Sequence, residues 1–376
     1  MIYEHIVVGA GISGCSVAYE LSKHSNNLLV VDKGSSVAYG ASGAAGAFLS
    51  PLLGKPNEFK DLVTKSLIYS TKMYQKNFPF LVHNCGTTRI PKNDSDREKF
   101  KEYIPYMDFP YKEDGDGYFF KIGTVVNSVG LCKTMTTSFN NKRKKIKTKF
   151  DFDVKNISYD GEHWVLNDEL KTKNLILTTG ANIDLLDEFY IKIRPVWGRR
   201  IDISTTTNLK HNYHKACSVS KSFPIGDDKY RVSIGATHHR DLKDIQNNQK
   251  DNDELLLKAK DIVDLEDVDI IKEYYGARAC SVDYFPIVGE VINSKKTIEE
   301  FPYLKNGTNV QKERFTRYKN LYILNGVGGR GFVLAPYLAR QLANKIIDNQ
   351  PIDDNLNLDR LFIREVKRME KWVFGV

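Results

Sequence analysis

The sequence predicts an α/β fold in which one domain is built around a parallel sheet and a second is mostly antiparallel (α+β). Three observations predict it: a glycine-rich strand–turn–helix at the amino terminus, a second glycine-rich turn near the carboxyl terminus, and short aromatic strand patterns between them. A chain of 376 residues exceeds a usual single domain. We therefore expect two closely associated domains.

The first glycine turn is the most informative motif. The apolar strand Ile6–Val8 runs into Gly9, Gly11 and Gly14, and a later apolar strand ends in Asp32, 18 residues beyond the last of these glycines. Glycine allows the tight turn, lets a pyrophosphate approach the backbone and lets helix and strand pack closely. The helix amino terminus offers free N–H groups to phosphates, and the acid is placed to bind a ribose. The motif predicts dinucleotide binding.

A second glycine turn, Gly326–Gly331, lies about 315 residues after the first, between an apolar strand and a helix. A nicotinamide enzyme needs only one dinucleotide turn. A second helix amino terminus could stabilise the anionic edge of a reduced flavin ring. The small-residue segment Gly40–Ala47 would let backbone lie against a flat ligand. Together these features predict FAD as the cofactor.

The domains are predicted to alternate along the chain. A discontinuous, Rossmann-like FAD-binding domain is assigned to 1–84, 127–194 and 276–376, and a mostly antiparallel substrate-binding domain to 85–126 and 195–275. The remaining expectations concern single elements: helices over 57–77, 129–140, 253–264 and 332–348, three strands within 150–178, a strand over 320–325, strand-like structure throughout 85–126, and an exposed insertion over 293–317.

Composition favours a globular protein with reduced thiols. The five cysteines show no close pairing or metal-binding spacing, and no apolar run reaches transmembrane length. The apolar amino terminus lacks a basic leader, so we expect a cytoplasmic protein with neither metal nor membrane association. The net charge of +8 favours polyanionic partners. The basic run Lys142–Lys145 is either a solvated corner or a patch that contacts phosphates.

The order of these segments resembles the D-amino-acid oxidase and glycine oxidase superfamily of FAD-dependent oxidoreductases. Within it, the likeness is greatest to the oxidoreductase domain of bifunctional enzymes that modify the wobble uridine of tRNA. The stretches that carry the resemblance are Ala41–Gly43, Gly46–Ala47, Ser50–Leu53, Gly235–Thr237, Arg278–Gly289 and Asn325–Pro336.

The resemblance implies an activity and a substrate. Such an enzyme oxidises the carboxymethylaminomethyl group on the wobble (2-thio)uridine of tRNA, releases glyoxylate and leaves an aminomethyl group. No methyltransferase sequence precedes the first strand, so the chain is expected to be the oxidase half acting alone, with the tRNA anticodon arm as its partner. The alternatives are a glycine, sarcosine or D-amino-acid oxidase acting on a free small amine, and a flavin-binding protein that recognises RNA without turnover.

The resemblance also implies the site residues, with the FAD bound non-covalently. Arg278 and Arg330 are assigned to the reaction centre. The resemblance implies that Arg278 is the bidentate partner of a substrate carboxylate, and the alternative is a surface or structural ion pair. Arg330 interrupts a loop of small residues, so it either contacts the flavin or substrate or stabilises the loop. The cofactor-binding residues are Gly9, Gly11, Ile12, Ser13, Gly14, Asp32, Lys33, Ala41, Ser42, Gly43, Ala47, Val154, Thr179, Gly180, Gly328, Gly329, Gly331 and Phe332.

Three further features have competing interpretations. Trp197 with Arg199 and Arg200 either contacts a base and phosphates or forms an aromatic anchor flanked by two solvated arginines. The pair His238–His239 is expected to be a polar strand edge, since adjacent strand residues face opposite sides and no third metal ligand is near. Cys280 occupies the region where some relatives attach flavin covalently, but a small buried thiol is favoured.

Overall fold

The computed structural model of the chain describes residues 1–137, 146–240 and 249–373. The α-helices within these residues are α1 Ile12–Leu21, α2 Ala41–Ala44, α3 Glu58–Asn77, α4 Asp94–Tyr103, α5 Ser128–Thr137, α6 Gln249–Lys260, α7 Ser294–Glu300, α8 Gly331–Asp348 and α9 Asp359–Val373. Short 3-10 turns occupy Pro79–Leu81, Ile104–Tyr106, Pro302–Asn306, Lys312–Arg314 and Gly328–Arg330.

The same residues contain strands that form three sheets. In chain order the strands are β1 Ile2–Val8, β2 Leu28–Val31, β3 Phe48–Leu49, β4 Val82–His83, β5 Thr87–Arg89, β6 Tyr111–Asp114, β7 Gly117–Phe120, β8 Thr124–Val126, β9 Lys147–Lys149, β10 Ile157–Tyr159, β11 Trp164–Leu166, β12 Leu170–Leu177, β13 Ile193–Thr205, β14 Asn212–His214, β15 Ser218–Val219, β16 Phe223–Gly226, β17 Lys229–Gly235, β18 Asp269–Ser281, β19 Ile287–Ile292 and β20 Arg317–Asn325.

The first sheet has a parallel centre. Its strand order is β10-β11-β12-β1-β2-β9, and β20 also pairs in parallel with β12 while β19 pairs antiparallel with β20. Helices α1, α3, α5 and α8 cover one face of this sheet, and α9 covers part of the other. Because both faces are covered, the central strands are uniformly apolar and buried, as β2 shows with the sequence Leu-Leu-Val-Val. The carboxyl ends of the strands point toward the two glycine turns.

The second sheet is antiparallel except for the β14–β5 pair. Its order is β18-β13-β17-β15-β14-β5-β7-β6, with β16 paired to β17. Helix α6 covers one face through Leu255, which packs against Ile201 and Ile234. A three-stranded sheet, β3-β8-β4, lies beside the two larger ones. This arrangement confirms the predicted fold class, while the domain limits at 84, 126, 194 and 275 remain a prediction.

Two expectations about elements were wrong, and one helix was not predicted. The region 85–126 contains helix α4, whose start is capped by the Asn93 side chain accepting from the Asp96 N–H at 2.9 Å. The segment 293–317 is not simply an exposed insertion, because Phe301 and Phe315 pack into the core beside α9. Helix α9 itself was not predicted. Across the described ranges, none of the helices is long and apolar enough to cross a membrane.

Candidate functional site

The turn between β1 and α1 is tight because its glycines leave no room for side chains. Gly9 has a φ of +106°, which residues with a Cβ rarely adopt. A Cβ on Gly14 would lie 1.8 Å from the carbonyl oxygen of Gly9. The Thr178 hydroxyl donates to the carbonyl oxygens of Val8 and Gly9, each at 2.9 Å. The residue that follows β12 therefore holds the turn in place.

Asp32, at the end of β2, fixes the other side of the turn. Its Oδ2 accepts from the Ala10 N–H at 2.5 Å, and its Oδ1 accepts from the Gly34 N–H at 2.7 Å. A carboxylate oxygen has two acceptor positions, so each keeps one for a further donor such as a ribose hydroxyl. Lys33 is exposed next to it, and the buried Val154 follows the strand paired with β2.

Helix α2 lies against the amino terminus of α1. The Ile12 N–H donates to the Ser42 Oγ at 2.8 Å. A Cβ on Gly11 would meet only that hydroxyl, at 3.1 Å, so the backbone of this turn is open to a ligand. Ala41 is partly buried, and a Cβ on Gly276 would lie 2.7 Å from its Cα. The segment therefore joins the first sheet to strand β18 of the second.

Other predicted residues lie around the same helix terminus. Ser13 is buried in the first turn of α1, and Gly43 lies in α2. Ala47 is buried at the end of the small-residue segment, with a φ of +50°. These positions come together because the amino terminus of α1 contacts α2.

The end of β12 provides a second open stretch of backbone. Thr179 and Gly180 follow this strand, and a Cβ on Gly180 would meet no atom within 4 Å. The Asn325 side chain, at the end of β20, donates to the Gly180 carbonyl oxygen at 2.9 Å. This hydrogen bond connects the two loops that flank the parallel strands.

The second glycine turn lies beside the first. A Cβ on Gly331, the first residue of α8, would be 3.0 Å from the Ile12 Cγ2. Gly328, with a φ of +55°, and Gly329 precede it in the turn. Phe332 points away, since its side chain is buried in the core and its carbonyl oxygen accepts from the Tyr74 hydroxyl. Of the groups of Phe332, only the backbone N–H is therefore available to a ligand.

Arg278 reaches the second glycine turn from β18. A Cβ on Gly329 would lie 3.5 Å from the Arg278 Cδ, and a Cβ on Gly198 would lie 2.6 Å from each of the two terminal nitrogens. Arg278 Nη1 donates to the Thr237 carbonyl oxygen at 3.1 Å. Burial lowers the pKa of the guanidinium, and no carboxylate of the described residues forms an ion pair with it.

Arg330 and a second arginine, Arg89, share a neighbouring segment. Arg330 Nη1 donates to the Ser50 carbonyl oxygen at 3.4 Å, and Arg89 Nη1 donates to the Pro51 carbonyl oxygen at 2.7 Å. Sequence reasoning missed Arg89, which ends a three-residue strand without any motif around it. Its proximity to the site depends on the pairing of β5 with β14 and β7.

The structure contradicts the suggestion that Arg199 and Arg200 contact phosphates. Arg199 is fully buried, donates to Asn252 at 2.8 Å and pairs with Glu273 at 3.2 Å. Arg200 is also buried and stacks on the Tyr274 ring. Their carboxylate and aromatic partners lie on neighbouring segments, which the local sequence could not reveal. They hold the sheet together, so the solvated-arginine alternative is wrong as well.

The two adjacent histidines, His238 and His239, have different environments. His239 contacts Asp251, with Nε2 3.1 Å from both carboxylate oxygens, while His238 is exposed. Within 1–137, 146–240 and 249–373, no cluster of three His, Cys, Asp or Glu residues could hold a metal. Lys142–Lys145 falls outside the described residues.

Comparison with known proteins identifies the family. A family model described as "FAD dependent oxidoreductase", of the DAO family, matches residues 4–345. The chain belongs to this family. It is accordingly an FAD-dependent oxidoreductase, and the FAD prediction is confirmed at the level of the family.

The names of the curated relatives state a more specific activity than the description of the family. The chain is 25% identical to a "tRNA 5-methylaminomethyl-2-thiouridine biosynthesis bifunctional protein MnmC" of Legionella pneumophila (strain Corby), over 91% of this chain and 54% of the relative. A Campylobacter jejuni protein of the same name is 26% identical over 92% of this chain and 55% of the relative. The chain therefore spans about half the length of the curated relatives it matches.

Solved structures share the fold. Glycine oxidase from Geobacillus kaustophilus superposes with a TM-score of 0.73 at 16% identity, covering 93% of this chain and 95% of that chain. Glycine oxidase from Bacillus cereus gives 0.72 at 17% identity, covering 93% and 96%. These identities support the architecture rather than the substrate.

The residues present fit FAD. The open backbone at Gly11 and the amino terminus of α1 suit the pyrophosphate, and the spare acceptor positions of Asp32 suit a ribose. A Cβ on Gly180 would meet no atom within 4 Å, and the glycines of the turn Gly328–Gly331 carry no side chains that would keep a ring away from the backbone. We therefore retain the two glycine turns, Asp32 and helix α2 as the proposed cofactor site. The side chains of Ile12, Val154 and Phe332 are buried in the core, so only their backbone could contact the cofactor.

FAD is expected to be bound non-covalently. The Cys280 Sγ lies 3.5 Å from where a Cβ on Gly328 would be, so this thiol borders the site. Burial raises the pKa of Cys280, which disfavours the thiolate needed for attachment. Acid denaturation of the yellow holoenzyme should release all of the flavin, and Cys280→Ser should bind as much FAD as the parent. Flavin mass retained on the polypeptide would contradict this prediction.

Proposed function

We propose that the protein oxidises the carboxymethylaminomethyl group on the wobble (2-thio)uridine of tRNA, acting on a secondary amine C–N bond. The observation that carries the proposal is Arg278, whose guanidinium borders the second glycine turn and has no ion-pair partner among the described carboxylates. A planar guanidinium can hold a carboxylate through two parallel hydrogen bonds. The carboxylate end of the substrate arm supplies that group.

The residues then bind and orient while the cofactor supplies the redox chemistry. FAD, when bound, provides a two-electron acceptor. Gly329 adjoins the Arg278 side chain. In this proposal Arg278 holds the carboxylate and so orients the adjacent carbon, between carboxylate and amine. Loss of a hydride from this carbon and a proton from the amine gives a substrate imine. Hydrolysis of the imine releases glyoxylate and leaves the aminomethyl group on the base.

Two observations support tRNA over a free amine. The curated relatives are named for tRNA modification, and the chain carries a net charge of +8. Exposed Arg194 pairs in register with Cys280, and exposed Arg240 also lies near that thiol. With Arg199 and Arg200 buried, this exposed pair replaces them as the candidate phosphate contacts at the edge of the site.

The test uses tRNA that bears the carboxymethylaminomethyl group. Such tRNA should reduce the flavin and release glyoxylate, with an apparent affinity that falls steeply as salt rises, because phosphate contacts displace counterions. Glycine, sarcosine and D-alanine should reduce the flavin poorly. Arg194→Ala combined with Arg240→Ala should lower the logarithmic salt slope by about 1–2. The measurement is stopped-flow absorbance of the flavin at a series of potassium chloride concentrations.

A control with the same charge change separates local contacts from net charge. Lys171 and Lys173 are exposed near the start of β12, at the opposite end of that strand from the site. Lys171→Ala combined with Lys173→Ala should leave the salt slope unchanged. If glycine reduces the flavin rapidly and the modified tRNA does not, the enzyme is a small-amine oxidase. Tight tRNA binding without flavin reduction would instead indicate an RNA-binding flavoprotein.

A further inference from the structure

Arg89 and Arg330 are two like charges held close together. They donate to the carbonyl oxygens of the consecutive residues Ser50 and Pro51. Consecutive residues are separated by about 3.8 Å between Cα atoms, which keeps the two guanidinium groups in one small region. Each side chain is only partly exposed. The pair therefore concentrates positive charge beside the second glycine turn.

Among the described residues, no acid neutralises this pair. Neither arginine forms an ion pair with a carboxylate of the described residues, and the Nε of Arg89 is buried without a hydrogen-bond partner. Burial lowers the pKa of Arg330 to about 10. Burial, and then the charge of Arg330, lower that of Arg89 to about 9. Elsewhere in the same sheet, buried Arg199 has Glu273 as its partner.

In the described part of the chain, the residue of β14 paired with Arg89 across the strands is a histidine, which adds no negative charge. His214 lies beside Arg89 in the β14–β5 register, and its Nδ1 is 2.7 Å from the Ser218 Oγ. Burial lowers the pKa of His214 well below its usual value, and the charges of Arg89 and Arg330 lower it further. Asp96 acts on Arg89 only at longer range, without an ion pair. Two guanidinium groups with unused donors are thus suited to an oxyanion.

We propose that Arg89 and Arg330 form a second oxyanion subsite, separate from Arg278, that receives a carboxylate or phosphate group of the substrate. The Arg278 site and the Arg89–Arg330 subsite both lie at the second glycine turn. Gly329 of this turn adjoins Arg278, and the next residue is Arg330. That the occupant is a substrate group rests on the proposed function. A nucleotide carrying a carboxymethylaminomethyl arm has both kinds of anion, whereas glycine has only one.

The first experiment measures thermal stability of the FAD-loaded enzyme with inorganic phosphate or acetate at constant ionic strength. A ligand that binds the folded state raises the melting temperature. At least one anion should raise it by about 2 °C or more in the parent protein. Protection by phosphate alone assigns the subsite to a nucleotide phosphate, and protection by acetate assigns it to a carboxylate. The absence of any increase would overturn the proposal.

Variants localise the effect. Arg89→Gln and Arg330→Gln should each weaken the anion-dependent stabilisation about tenfold or more in apparent affinity, since each removes a charged donor. Arg231→Gln is the matched control, because that arginine lies in the same sheet but has Asp202 as its partner. Equal anion protection in all three variants would overturn the assignment. Loss of FAD from the Arg89 or Arg330 variant would show that they bind the cofactor, which also overturns it.

A second measurement does not depend on the stability of the variants. Phenylglyoxal modification followed by peptide mass analysis reports the accessibility of each arginine in the parent holoenzyme. The protecting anion should slow modification of Arg89 and Arg330 without affecting exposed Arg194. Equal rates with and without the anion would refute the subsite. Neither experiment uses tRNA, so a failure of tRNA oxidation with intact protection would remove the proposed function and leave the subsite in place.

Discussion

Replacing Arg278 by lysine is expected to preserve FAD binding and to lower substrate affinity roughly ten- to a hundred-fold. A lysine keeps the positive charge but offers a point charge instead of two parallel donors. Loss of one charge-assisted bidentate contact is worth about 1.5–3 kcal/mol. The measurement is flavin reduction by carboxymethylaminomethyl-bearing tRNA over a range of tRNA concentrations, beside the visible spectrum of the bound flavin.

The matched control for this substitution is Arg317→Lys. Arg317, like Arg278, is a partly buried arginine on a strand, but it lies in β20 of the first sheet. It pairs with Asp359, the first residue of α9, at 2.7 Å. Its replacement should leave the dependence of flavin reduction on tRNA concentration unchanged. Unchanged turnover and affinity in the Arg278→Lys enzyme would refute the role assigned to that guanidinium.

Of two glycine substitutions in the first turn, one should destabilise the fold and the other should not. In Gly14→Ala the new Cβ would lie 1.8 Å from a backbone oxygen, which no side-chain movement can relieve. We expect a loss of folding stability of more than about 3 kcal/mol and no FAD binding. In Gly11→Ala the φ of −73° suits alanine and the nearest atom is a hydroxyl at 3.1 Å. This variant should fold normally.

The Gly11→Ala protein should nevertheless bind FAD roughly tenfold or more weakly, because its methyl group occupies the face that a pyrophosphate approaches. Chemical denaturation of the apoprotein and flavin-fluorescence titration measure the two quantities separately. Gly130→Ala is the control, since a Cβ there would also come close to a side chain, at 3.0 Å from the Asn127 Cγ, but this residue lies in helix α5 outside the two glycine turns. FAD affinity equal to the parent in Gly11→Ala would argue against the placement of the pyrophosphate at this turn.

The sequence was most informative where local patterns determine structure. The glycine turn, the strand ending in Asp32 and helix α3 all follow from short-range rules, including the Asn57 side chain that accepts from the Lys60 N–H. Helix α4 was missed because only Phe100 in it is buried, so it lacks the apolar period that signals a helix. Helix α9 was missed although its apolar residues pack on the first sheet.

Charged residues were the least predictable part of the site. A run such as Trp197–Arg200 reads as solvated or ligand-binding, yet Asn252 and Glu273, distant in sequence, satisfy Arg199 inside the sheet. Arg89 shows the reverse case, because it has no recognisable motif but comes close to Arg330 through strand pairing. Whether a buried charge has a partner depends on tertiary contacts, which the local sequence does not show.

The central position of β12 has a consequence for the order of assembly. A nascent chain that has reached Asp32 already contains the whole first glycine turn, but Thr178, which holds that turn, comes only with β12. Strand β20, on the other side of β12, arrives later still. Sheets joined by such non-local parallel pairs have high contact order and form slowly. The turn therefore becomes a rigid surface only after β12 and Thr178 have been synthesised and β12 has paired with β1.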